Sequence, residues 1–369
     1  MMCIRNFLLV FILFFVGCST LPLKRARTDF FSGNLVQADN VLGECADTPE
    51  KDRLLCYMEK GTILHYMKSY KESTQVLLKA SQFIKDQDQI SIKDQSTSVL
   101  INDKTATYKG EYCEKLWVHT FLMMNFLLQY KYDSALVEAK QALEVYDEYP
   151  DSLKGDYFTR ALIALCFENM NMSDDARIEY EKLNESIGGE TLRPESIAPG
   201  KGELVLFIAQ GRIPEKISAD IVMPPSIRIS IPRYASSYLP PPATIHIDGK
   251  EIPFGEVNTD MGDAARRSLN DRAAQYLTRQ ALRAGTKEAI AQKIGEQNAL
   301  LEFFTRVGLF LLEEADTRSW ETLPGSLTLV RVMLDAGNHK LEVSPGKSGA
   351  VYLNVDIPEG RRVYQSIRF

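Results

Sequence analysis

The sequence predicts an α+β protein: an array of helical repeats over residues 30–187, then a β-rich part over 202–369 that carries an inserted helical segment at about 257–315. Three observations predict it. Small residues recur at one position of successive amphipathic stretches, as helix pairs in close approach require. Glycine and proline then cluster at 188–201 and break the helical pattern. Beyond that break, short alternating runs bounded by turn residues replace the 3.6-residue period.

The 369 residues are 45% hydrophobic and 25% charged, the balance of an ordinary globular protein with room for two domains. Their formal net charge is −6. Residues 18–190 hold 20 Lys/Arg against 28 Asp/Glu, and residues 191–369 hold 22 against 21. Neither half concentrates positive charge as nucleic acid demands, so no nucleic-acid partner is expected.

Arg5 precedes an uncharged apolar run from Phe7 that ends Phe15-Val16-Gly17-Cys18. A basic residue, an apolar run and a small residue before a cut point make a secretory signal. The run is shorter than the roughly 20 residues of a membrane span. Its end resembles the lipobox of bacterial lipoproteins, which implies removal of residues 1–17 and lipidation of Cys18. A secretory signal without lipid is the other reading. Residues 18–29 read as a tether, in which Lys24, Arg25 and Arg27 either touch anionic headgroups or are simply solvated.

The repeat begins at Gly33-Asn34-Leu35-x-x-Ala38. It returns at Tyr70-x-x-Ser73 with Leu77 and Ala80, at Tyr132-x-x-Ala135 with Ala139 and Ala142, and at Ser173-x-x-Ala176 with Tyr180 and Leu183. This pattern resembles the tetratricopeptide repeat. Tyr57, Gly61 and Leu64, then Leu122 and Phe126, then Ile163, Ala164 and Phe167, supply the first helices of the later pairs. The wide gap between Ser73 and Ala135 accommodates an insertion at 86–110, polar and in places β-branched. It leads into Tyr108, Glu111, Glu114, Trp117 and His119, read either as a binding patch or as packing of the next pair. First helices line the concave face of such arrays, so a peptide or protein partner is expected in the helical groove.

After the linker 188–201, Glu203–Ala209 reads as a buried strand, and Ser226–Ile231 and Thr244–Asp248 as alternating ones. Ala264–Ala284 and the stripe Ile294, Leu301, Phe304 and Leu311 read as helices covering a sheet. Leu327–Leu334, Lys340–Val343 and Val351–Val355 return to strand. Between helix and strand lies Asp316-Thr317-Arg318-Ser319-Trp320-Glu321. Arg318 offers a fork for a carboxylate and Trp320 a stacking face. The same pair also suits a structural corner, with Arg318 on an internal acid.

Cys45 and Cys56 are close enough in sequence to bridge, and their redox state stays open; Cys166 reads as a buried thiol. The scattered histidines give no ligand spacing, so no metal and no cofactor are expected. There is no GxSxG, HExxH or Walker motif. A pair of acids for glycoside hydrolysis is a spatial arrangement that spacing does not reveal.

Several stretches are similar to a family of bacterial lipoproteins with tetratricopeptide repeats: Asn102-Asp103 with Tyr108-Lys109-Gly110, His119 with Tyr132–Glu138, Gly211–Ile217, and Ala315–Pro324. The resemblance implies the lipid on Cys18 and the two-part layout. It brings no activity. More distantly, the layout is similar to envelope lipoproteins that assemble outer-membrane proteins or activate peptidoglycan synthases. The expected function is a lipid-anchored, non-catalytic envelope protein, on the outer membrane facing the periplasm, that binds a protein or peptide. The alternative is a hydrolase of an envelope polymer such as peptidoglycan.

Overall fold

The computed structural model describes residues 21–93, 106–189, 196–223, 227–236, 238–253, 257–295, 314–346 and 349–369, with parts of 302–310. Cys18 and the expected signal lie outside the described residues, as do 94–105 of the insertion.

Among the described residues the helices form four pairs: α1 (Leu21–Phe31) with α2 (Leu35–Leu42), α3 (Glu50–Tyr66) with α4 (Tyr70–Lys93), α5 (Tyr112–Leu128) with α6 (Tyr132–Glu148), and, after the short α7 (Pro150–Leu153), α8 (Tyr157–Asn169) with α9 (Ser173–Ile187). Every pair turns in the same way. The residue two before the second helix has positive φ: Gly33 at 81°, Lys68 at 63°, Tyr130 at 58° and Asn171 at 56°. The next N–H then bonds five residues back, Asn34 to Asp29, Ser69 to Leu64, Lys131 to Phe126 and Met172 to Phe167, at 2.8–3.0 Å. This is the six-to-one closure that satisfies orphan carbonyls at a helix end. The left-handed position costs a non-glycine residue about 1–2 kcal/mol. Three turns bear that cost because the packed pair holds them there.

Ala38, Ser73, Ala135 and Ala176 each stand three residues into a second helix, and each is 0% exposed. Close approach is the reason for their size. In the second pair the partner is Gly61, where a Cβ would lie 2.4 Å from Leu77 Cδ2. Ser73 Oγ donates to the Gly61 carbonyl at 2.7 Å across the same contact.

The first strand, β1 (Lys201–Gln210), centres a mixed sheet of order β10-β1-β7-β6, with β10 at Arg362–Arg368, β7 at Ser326–Asp335 and β6 at Val257–Asp260. It runs parallel to β10 and antiparallel to β7. Its side chains alternate between two cores, as the two-residue period of a strand dictates. Val205, Phe207 and Ala209 join the helices; Leu204, Leu206 and Ile208 join a second sheet. That sheet has the order β5-β4-β8-β9, from β4 (Thr244–Ile247), β5 (Lys250–Glu251), β8 (Gly337–Ser344) and β9 (Val351–Ile357). The layers are thus helices, mixed sheet, antiparallel sheet. A hairpin of β2 (Lys216–Met223) and β3 (Ile227–Tyr234) packs on the long helix α10 (Met261–Gly295).

Three expectations need correction. The expected tether at 18–29 is largely helix α1, whose Leu23, Ala26 and Phe30 are buried at helical spacing. Its basic residues hid that stripe, and one of them, Arg27, is an internal ion-pair partner. The two parts also do not form separate cores. One apolar cluster holds Leu116, Phe121 and Phe158 of the helices together with Phe207, Leu329 and Trp320 of the C-terminal part. Finally, the helical groove does not stand free for a partner. First helices α3, α5 and α8 contact strands of the mixed sheet, so the chain's own C-terminal part occupies that face.

Candidate functional site

The residues singled out in the sequence lie together, but inside the molecule. Tyr108, Glu111, Glu114, Trp117, His119, Arg318 and Trp320 are all at most 8% exposed. They form a polar seam between the helices and the C-terminal part. The Glu111 carboxylate meets Lys216 Nζ at 2.5 Å and Arg272 Nη1 at 2.7 Å. Burial alone raises a carboxyl's pKa, but Lys216 and Arg272 outweigh it and hold Glu111 at about 2. Glu114, one turn on, accepts from Tyr108 Oη at 2.5 Å, from Glu111 N at 2.9 Å and from Trp320 N at 2.7 Å. Burial and the neighbouring Glu111 charge raise its pKa.

Arg318 donates to Asp52 Oδ1 at 3.0 Å, to the Lys51 and Ala106 carbonyls, and to Asp316. Trp320 Nε1 donates to Thr62 Oγ1 at 2.9 Å. Trp117 Nε1 donates to Asp156 Oδ2 at 2.6 Å, and His119 Nδ1 meets Glu138 Oε2 at 2.7 Å. These residues build a structural corner; as a ligand patch they are inaccessible. The same burial removes Glu111 and Glu114 as an acid pair for hydrolysis, since such a pair must face substrate.

A second polar chain leads from the array to the sheet. Asn125 Nδ2 donates to Ser73 Oγ at 2.8 Å, which leaves Asn125 Oδ1 to accept from His65 Nδ1 at 2.7 Å. His65 Nε2 then accepts from Ser366 Oγ at 2.8 Å. Burial lowers the His65 pKa to about 4, the Asn125 bond opposing and the Arg368 charge reinforcing the shift.

His65 and Ser366 border an accessible pocket of about 510 Å³. Phe30, Phe31 and Gly33 of the first helix pair, Tyr66 and Tyr70 of the second, Gly211 and Arg212 after β1, Val351 and Leu353 of β9, and Ile367 to Phe369 meet there. Arg368 lies over the rings of Tyr66 at 4.7 Å and Phe30 at 4.8 Å. Arg212 lies over Phe31 at 3.8 Å. Lys68 stands exposed at the rim. Among the described residues no acidic side chain lines the pocket. Arg368 donates to the Thr322 carbonyl at 2.8 Å and the Gly211 carbonyl at 3.4 Å. Burial and Arg212 draw its pKa below the ordinary value, opposed by Tyr66 and Glu59. Burial raises the Tyr66 hydroxyl's pKa, and the Arg368 guanidinium beside it opposes that shift.

Sequence reasoning missed this site. Its residues come from five separated stretches, which no local pattern joins. The one local signal was the spacing of Leu23, Ala26 and Phe30.

The fold defines a helical-repeat protein, tetratricopeptide-like in its pairing of helices, packed on two sheets. No family model and no curated protein matches the chain. Among solved structures it is similar to the apo form of RapI, with TM-score 0.35 and 11% identity over 46% of this chain; the match spans 43% of RapI. It is also similar to MamA MSR-1 C2, with TM-score 0.21 and 14% identity over 46% of this chain and 97% of that one.

Proposed function

We propose that this chain is a lipid-anchored, non-catalytic protein of the bacterial envelope, held by Cys18 on the outer membrane facing the periplasm, that binds a protein or peptide partner. The observation that carries the binding role is the aromatic, acid-free pocket at the end of the helical array. Pockets of this volume and lining are the usual form of a recognition site. The exported address is supported by the Cys45–Cys56 disulfide, a bond that persists in oxidising compartments and is rare in the cytosol. The partner site moves from the helical groove to this pocket, because the groove is filled by the chain itself.

Two measurements test the reading. Fatty-acid labelling should mark the wild type and spare Cys18→Ser; equal labelling of both removes the anchor. Crosslinking in membranes, with partners identified by mass, should capture a polypeptide, and the capture should fall when Phe31→Ala is introduced in the pocket. Capture insensitive to that change would move the binding site elsewhere.

A further inference from the structure

We propose that the pocket holds the C-terminal carboxylate of a polypeptide with an apolar last side chain, the carboxylate lying between the guanidiniums of Arg212 and Arg368. This rests on the reading that the protein binds a polypeptide partner.

The argument starts from charge. In a chain of net −6, this pocket carries Lys68, Arg212 and Arg368 and, among the described residues, no acidic side chain. Both guanidiniums reach one ring, Phe31, at 3.8 Å for Arg212 and 5.9 Å for Arg368. They are close enough that Arg212 disfavours the charge on Arg368. Among the described residues the Arg212 guanidinium has the Phe31 ring as its contact and no hydrogen bond. Glu59 is the carboxylate that acts on Arg368, and it is already engaged by Arg27 and by the backbone N–H groups of Glu321 and Thr322. Two guanidiniums that share one ring favour an anion placed between them.

The shape of the anion follows from the donors. A guanidinium presents a planar fork that matches a carboxylate. The aromatic walls ask for an apolar group attached to it. A volume of about 510 Å³ admits the last few residues of a chain. Beside them runs β9, which pairs on one side only, with β8, and lines the pocket through Val351 and Leu353. A free strand edge offers backbone groups to an extended peptide.

The test uses the full mature chain and calorimetry with three probes: an acetylated tetrapeptide ending in phenylalanine with a free carboxylate, the same peptide as its C-terminal amide, and N-acetylphenylalanine alone. The free-acid peptide should bind, with the amide at least about tenfold weaker, as expected for loss of charge-assisted hydrogen bonds. Arg212→Met, at an exposed position, should leave the circular dichroism unchanged and also weaken binding about tenfold. Arg368→Met should do the same, but Arg212→Met decides the matter if that variant misfolds. Equal binding of acid and amide overturns the carboxylate proposal and leaves the peptide-binding reading standing. So does unchanged affinity in Arg212→Met. N-acetylphenylalanine binding as tightly as the peptide, or no binding by any probe, overturns the proposal too; partner capture from membranes then judges the broader reading independently.

Discussion

The Glu111 carboxylate lies 2.5 Å from Lys216 Nζ, across 105 residues of sequence, and both side chains are 1% exposed. This pair, with Arg272, fastens the start of α5 to the first strand of the hairpin and to α10. Removing one partner of a buried pair strands the other charge.

Glu111→Gln should therefore cost about 3–5 kcal/mol in a denaturant titration. Adding Lys216→Met should recover part of the loss, because the stranded ammonium is gone while Arg272 still faces the amide. The wild-type carboxylate, with its pKa held at about 2, contributes stability that is present above its unfolded value and lost as pH falls toward 2. Additive single and double changes would show that the pair does not couple the two parts.

His65 gives a second pH dependence. Its folded pKa of about 4 lies below the ordinary 6.5, so the unfolded chain binds more protons between those values. Stability is complete above pH 6.5 and should decline as pH falls toward 4, by on the order of 3 kcal/mol from this group. Glu321 runs the other way. Burial raises its pKa to about 7, against the opposing Arg27 charge, so its contribution weakens as pH rises from 4.5 to 7. The measurement is thus the difference between wild type and His65→Gln from pH 4 to 7. A difference that stays constant across that range would assign the decline to other groups.

Much of the helical array was legible in the sequence. Ala38, Ser73, Ala135 and Ala176 repeat because a close helix contact admits only a small side chain, which is a local signal. The turns were less so, since only Gly33 of the four positive-φ residues is glycine; Lys68, Tyr130 and Asn171 hide the same geometry. Site residues were hardest. Arg318 and Tyr108 look alike in sequence whether they bind a ligand or each other, and here the guanidinium lies 5.2 Å from the Tyr108 ring. Arg318 reaches Ala106 and Asp52 across 212 and 266 residues, so only the folded chain tells a lock from a binding site.

Ala135→Leu tests the repeat contact. Ala135 is fully buried near the start of α6, and three extra heavy atoms cannot be absorbed without moving α5. The expected cost is about 1–3 kcal/mol, read as a lower denaturant midpoint at unchanged slope. An unmoved midpoint would count against close packing there.

The Cys45–Cys56 bridge closes a short loop, with a sequence separation of 11, between the first helix pair and α3. Its reduction should lower stability by on the order of 2–3 kcal/mol while the buried Cys113 and Cys166 stay unmodified in the folded protein. Thiol counting on the native chain before and after unfolding checks both statements. More than two thiols in the unreduced, denatured form of residues 21–369 would mean that the bridge is absent.

Strand β10 follows every other described strand, yet it lies beside β1, with Glu203 opposite Arg362. It brings Ser366 to His65, Arg362 to Glu168 and Glu203, and Arg368 to the pocket. Repeat arrays ordinarily consolidate unit by unit as they emerge. This one cannot, because its helices wait for an edge strand that arrives some 159 residues after its neighbour. During synthesis the nascent chain therefore carries an open apolar face until β10 emerges, the condition in which aggregation competes with folding. A chain stopped at Arg361 should be cut by protease within the helical region, where the full chain resists.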